Sequence, residues 1–130
     1  MNDEYLMENP KIYTLGVLED KTYSFALRII KVNRYLTDKN EYILSKQLLR
    51  SGTSIGANRR EATYAQSKQD FVNKLGIALK EANETIYWLE LLHGSGYITA
   101  EGYDSIHTDG VEIIKLLISI IKTSKSTINK

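Results

Sequence analysis

Two carboxylate-x-x-histidine pairs, Glu90-Leu-Leu-His93 and Asp104-Ser-Ile-His107, have a spacing used in metal chemistry. Residues three apart share a helix face, so each pair presents an oxygen and a nitrogen donor together, as in di-iron bundles. Such a centre also needs a Glu from each of two further helices at mid-bundle, whereas these pairs flank a turn and the first predicted helix offers no interior Glu. No nucleophile stands with a base, and neither His has a triad companion. Cysteine is absent, which excludes disulfides and thiolate metal sites. The expectation is a protein that is not an enzyme and uses no metal or cofactor.

A second set of residues suits binding. Arg28, Lys31 and Arg34 recur at three-residue steps and form a short cationic stripe, with Lys21 and Lys46 as candidate neighbours, and Arg59 and Arg60 add an adjacent pair. Such a stripe is either a solvated helix face or a phosphate contact. Without protruding loops or aromatic platforms, helices neutralise phosphates but have little with which to read base edges. The nine tyrosines could stack on bases, but Tyr87 and Trp88 adjoin a strict apolar seam and read as core or interface. Arg50, Asn58, Glu61, Glu81 and Glu84 lie at or beside helix seams. They read as an ion-pair and amide network that fixes helix register, or, for Arg50, as the lining of a pore or partner groove.

The elements that must position these groups are helical. The seam Phe71, Leu75, Ala78, Ala82, Thr85, Leu89, Leu92 alternates four- and three-residue steps, which a strand cannot hold, and predicts a long helix over 67–94. Ser67 is its expected N-cap, and Gly94 and Gly96 are expected to supply left-handed residues at its end. The seam Phe25, Ile29, Val32, Leu36 predicts a helix over 19–37. Leu44, Leu48, Ile55 and Ala62 predict another over 41–65. Tyr103, Ile106, Gly110, Ile113, Leu117 and Ile120 predict a fourth over 99–124, with Thr99 as its N-cap. Ile114, Leu116, Ile118 and Ile121 broaden that last seam beyond one face and suggest a subunit interface.

Mid-helix glycines cost about 1 kcal/mol each relative to alanine, so Gly52 and Gly56 need a reason. Either they admit a closely approaching neighbour or they mark a kink or anion-binding loop. No strand precedes them and no Lys-Ser or Lys-Thr follows, so they are not a phosphate loop.

Short connections make neighbouring helices antiparallel, so the predicted fold is all-α, an up-down-up-down four-helix bundle. The 130 residues suit one domain spanning 1–130, with 1–16 as a loose arm and 125–130 as a frayed tail. No run of about 20 apolar residues occurs, so no membrane span is expected, and the cytosol is the expected compartment. Net charge is +1, but residues 21–80 carry twelve Lys or Arg against Asp38, Glu41, Glu61 and Asp70, while 81–112 hold seven acids and no Lys or Arg. This segregation suggests a molecule with a basic end, near Arg59, Arg60, Lys68, Lys74, Lys122 and Lys125, and an acidic end, near Glu90, Glu101, Asp104 and Asp109.

The stretches Gln47-Leu-Leu-Arg-Ser-Gly-Thr-Ser-Ile-Gly-Ala-Asn58, Arg60-Glu-Ala62, Asp70-Phe71 and Lys80-Glu-Ala-Asn-Glu-Thr-Ile-Tyr-Trp-Leu-Glu-Leu-Leu92 resemble the family of four-helix bundles encoded in intervening sequences of 23S rRNA genes. The resemblance covers about residues 20–100. It implies a ring of five subunits and kinship with the accessory protein of diversity-generating retroelements, a basic pentamer associated with nucleic acid and reverse transcriptase. Arg59 stands where the family usually carries an aliphatic residue, and this chain is less basic than the retroelement protein. The partners so implied are further copies of the chain, RNA or DNA, and a reverse transcriptase or other protein. Two functions follow: a nucleic-acid-associated accessory factor, or an oligomeric scaffold for a protein partner with no nucleic-acid role.

Overall fold

The computed structural model describes residues 10–128, with side chains from 15 to 126. Among these residues there are four helices and no strand: α1 Pro10–Asp38, α2 Ile43–Thr63, α3 Lys68–Gly94 and α4 Ala100–Ile128. Each packs on its neighbours in sequence and α1 packs on α4, which closes a four-helix bundle. The pairs that join neighbours fall in opposite order along the two helices. On α1 and α2, Glu19 meets Arg59 and Asn33 meets Ser45; on α2 and α3, Arg50 meets Glu84 and Glu61 meets Lys74.

The helix ends follow local chemistry. Pro10 is the first helical residue, a place where its missing N–H costs nothing. Residues 10–16, expected in a loose arm, therefore belong to α1; the rest of that arm lies outside the described residues. At the other terminus α4 continues to Ile128, past the expected fraying at 125. The chain turns out of α1 at Asn40, φ 65°, with Glu41 N–H donating to Leu36 O at 2.9 Å and Asn40 N–H to Thr37 O at 3.0 Å. This paired closure satisfies the last carbonyls of the helix. The end of α3 repeats it at Gly96, φ 87°, where Tyr97 N–H reaches Leu92 O at 2.9 Å. Gly94 does not share that conformation: it is simply the last residue of α3. Ser67 accepts Asp70 N–H at 3.0 Å and Thr99 accepts Gly102 N–H at 3.1 Å, so both expected N-caps form.

The start of α2 is capped from outside the helix. The Glu41 carboxylate accepts the N–H groups of Ile43, Leu44 and Ser45 at 3.2, 2.9 and 2.7 Å. These are donors that a helix N-terminus otherwise leaves unpaired. Burial alone would raise the Glu41 pKa, but the three backbone donors outweigh it and hold the carboxyl below its ordinary range.

The core is built from Leu18, Phe25, Ile29 and Leu36 of α1 and Leu48, Ile55 and Ala62 of α2. Leu75, Ala78, Ala82, Leu89 and Leu92 of α3 and Ile106, Ile113, Leu117 and Ile120 of α4 complete it. Phe71 and Val32 are only partly buried. α2 is continuous through Gly52 and Gly56, so neither a kink nor a loop forms there. A Cβ on Gly52 would lie 2.8 Å from Ile29, and one on Gly56 3.5 Å from Thr22; the glycines let α1 lie close against α2. Across the other flank of α2, Thr85 donates to Ser51 at 2.9 Å in the buried interior, a second close approach through small side chains.

Candidate nucleic-acid interface

The cations expected to meet phosphate divide by the direction each helix position faces. Arg28 lies on the α4 side of α1, where its guanidinium pairs with Asp109 at 2.5 Å and donates to Ser105 Oγ at 2.9 Å. Two turns earlier Lys21 pairs with Glu112 at 2.7 Å. These two bridges join the basic and acidic segments of the sequence, so part of the charge segregation is cancelled in space. Asp109 is accordingly a partner of α1 rather than a member of an isolated acidic end.

Lys31, Arg34 and Arg60 are exposed and carry no ion pair among the described residues, and Lys46 is likewise exposed. Arg59 is not an exposed contact: it is 8% exposed and faces α1. The reason is helical spacing, because Arg59 stands four residues after buried Ile55 and three before buried Ala62. Its guanidinium lies 3.5 Å from Glu19 and donates to Thr63 Oγ1 at 3.2 Å, while Nε has no partner among the described residues. A buried cation so loosely compensated is costly unless more anionic contact reaches it.

The polar set resolves into parts. Arg50 joins Glu81 at 3.2 Å, also meets Glu84, and its Nε donates to Gln47 Oε1 at 3.2 Å, which ties α2 to α3. Arg50 is exposed, so this is a rim of the interface rather than a buried network. Asn58 and Glu61 do not join it. Asn58 donates to Ser54 O within its own helix, and Glu61 pairs with Lys74 at 3.3 Å.

The two carboxylate–histidine pairs meet around an aromatic ring. His93 stacks on Tyr103 with centroids 4.5 Å apart and planes 9° apart, and His107 lies on Tyr103 at 5.1 Å. Burial first, then the nearby charges of Glu90 and Asp104, push the Tyr103 phenol above its ordinary pKa. Among the described residues no group of three or more His, Asp or Glu is placed to hold a metal ion. No helix there is long and apolar enough to cross a membrane.

What the sequence reading missed is a groove of about 1000 Å³ between the outer edges of α1 and α2. Its lining includes the small residues Ala26, Thr53, Gly56 and Ala57, and Tyr23 and Tyr64 stand at its edge, 63% and 81% exposed. Arg59, Arg60 and Lys74 border it, with Glu19, Asp20, Glu61 and Asp70. A second hollow of about 870 Å³ continues past Arg59 toward Lys68 and Phe71. The signal for the groove was present in the run Gly56-Ala57 opposite Ala26, but side chains too small to fill an interhelical edge are visible only once the partner helix is known.

The class defined by this geometry is a small four-helix bundle whose α1 and α2 carry the exposed cations Lys31, Arg34, Lys46 and Arg60 without an ion pair among the described residues. Residues 17–119 match the 23S rRNA-intervening sequence protein family, and the chain belongs to it. It is similar to a crystal structure of a protein of unknown function from the S23 ribosomal protein family of Bacteroides thetaiotaomicron. The two share 60% identity over 84% of this chain and 98% of that one, with a TM-score of 0.83. No curated protein matches the chain.

Proposed function

We propose that this protein is a non-enzymatic accessory factor that associates with the phosphate backbone of RNA or DNA, as an up-down-up-down bundle assembled into a ring. The observation that carries the reading is the placement of Lys31, Arg34, Lys46 and Arg60, exposed on α1 and α2 without carboxylate partners among the described residues. Cations left free of internal partners are the ones able to release counterions from a polyanion. The ring, of five subunits by family resemblance, draws support from large apolar side chains that the bundle leaves exposed, among them Leu27, Ile77, Tyr87, Leu91 and Ile118. The same exposed apolar side chains favour a second reading, an oligomeric scaffold for a protein partner such as a polymerase.

A gel-shift titration of labelled duplex across salt separates the two. A backbone-binding ring engaging about six phosphates loses roughly a thousandfold in affinity between about 50 and 200 mM salt. Absence of retention of both this duplex and its single strand at about 50 mM salt overturns the nucleic-acid reading and leaves the scaffold.

A further inference from the structure

The groove between α1 and α2 combines an exposed cation with two features that backbone neutralisation does not need. Tyr23 and Tyr64 stand at its edge with their rings exposed, although a tyrosine can bury its ring and keep only the hydroxyl wet. Arg60 beside them is exposed and free of ion pairs among the described residues. Behind it Arg59 is more than nine-tenths buried, with Nε unpaired and Glu19 only loosely engaged at 3.5 Å. The groove's volume, about 1000 Å³, lies at the upper end of the roughly 300–1,000 Å³ range of small-ligand sites.

We propose that this groove holds an unpaired nucleotide, its phosphate against Arg60 and the outer edge of the Arg59 guanidinium and its base stacked on Tyr64 or Tyr23. The proposal rests on the nucleic-acid reading above and deepens it by naming the strand state. A base inside a duplex has both faces covered by its neighbours, whereas an unpaired base offers a free face to an aromatic side chain. The groove's acids set the conditions. Glu61 is held by Lys74 at 3.3 Å, Asp70 accepts Gln66 N–H at 3.2 Å, and Asp20 is exposed at the rim. Glu19 is the one acid that an incoming phosphate must displace, and its 3.5 Å approach to Arg59 is longer than a close charge-assisted hydrogen bond.

The test is a fluorescence-anisotropy titration, at about 50 mM salt, of a short labelled single-stranded RNA and of the same sequence as a duplex. Wild type is compared with Tyr64→Ala, Tyr23→Ala and Glu19→Gln. The expected result is that at least one tyrosine variant weakens single-strand binding about tenfold while duplex binding is unchanged, because stacking on one aromatic ring is worth about that much per base. Glu19→Gln is expected to strengthen single-strand binding. If wild type binds duplex and both tyrosine variants bind single strand as wild type does, the groove proposal is overturned and the backbone reading stands. Equal loss on both strand states also overturns it. If wild type binds neither probe, both readings fall together.

Discussion

Gly52 and Ile29 are packed so closely that a Cβ on residue 52 would lie 2.8 Å from both Cγ1 and Cγ2 of Ile29. Ile29 is fully buried and branched at Cβ, so it has no flexible end to swing aside. Alanine normally improves a helix interior by about 1 kcal/mol over glycine. Here overpacking of about 1–3 kcal/mol opposes that gain. Gly52→Ala is therefore expected to lower the melting temperature. Gly76→Ala, where a Cβ meets nothing within 4 Å, is expected to raise it. A melting temperature for Gly52→Ala at or above wild type would refute the packing account of α1 against α2.

Leu75 and Leu89 are each fully buried on the face of α3 that meets the rest of the bundle. Truncation of either to alanine removes burial and leaves a cavity, and is expected to cost about 2–5 kcal/mol in chemical denaturation. Changes below about 0.5 kcal/mol would mean that this face is not the core.

Glu41 makes the stability depend on acid. Its folded pKa is depressed, so the stability it contributes is fully present above the unfolded value and is lost as pH falls through the lower, folded value. Glu41→Gln, which keeps the shape but not the charge, is expected to cost about 1 kcal/mol at neutral pH, the usual scale of a helix cap. It should also flatten the acid limb of the stability curve. Parallel acid limbs for wild type and variant would show that other carboxylates carry that limb.

The helical seams were legible in the sequence because apolar spacing is a local property. Leu75, Ala78, Ala82, Thr85, Leu89 and Leu92 are all buried where the period put them. Sidedness was less legible. Arg28 and Arg34 look alike in a three-residue stripe, but rotation of about 100° per residue turns Arg28 toward Asp109 and leaves Arg34 exposed. Arg59 reads as half of a basic surface pair until its register with Ile55 and Ala62 is weighed above its charge. The groove belongs to neither helix alone, so no single-helix pattern announces it.

Assembly turns on which apolar residues of α4 the bundle itself uses. Ile114, Leu116 and Ile121, expected to broaden α4 toward a neighbouring subunit, are partly buried against the core of their own chain, and Ile118 remains 46% exposed. Ile118→Asp is expected to lower the oligomeric state in light scattering while melting remains cooperative. Leu116→Asp is expected to destabilise the fold instead, because it buries part of an unpaired charge. A wild-type chain that is monomeric at micromolar concentration would rule out the ring.

Charge reversal separates surface cations from the buried one. Lys31→Glu, Arg34→Glu and Arg60→Glu together are expected to abolish retention of duplex while moving the melting temperature little, since exposed charges contribute little to stability. Arg28→Ala is expected to weaken retention less than Arg34→Ala, because Asp109 already neutralises Arg28. Arg59→Glu behaves differently: it places a carboxylate in a buried position beside Glu19 and is expected to lower the melting temperature. Arg59→Met, which fills the same volume without charge, is expected to melt at or above wild type, because a buried cation with a loose partner costs more desolvation than its ion pair returns. Melting curves of the two Arg59 variants, read beside gel shifts of the triple reversal, decide the assignment. If the triple reversal binds duplex as wild type does, the outer face of α1 and α2 is not the phosphate contact.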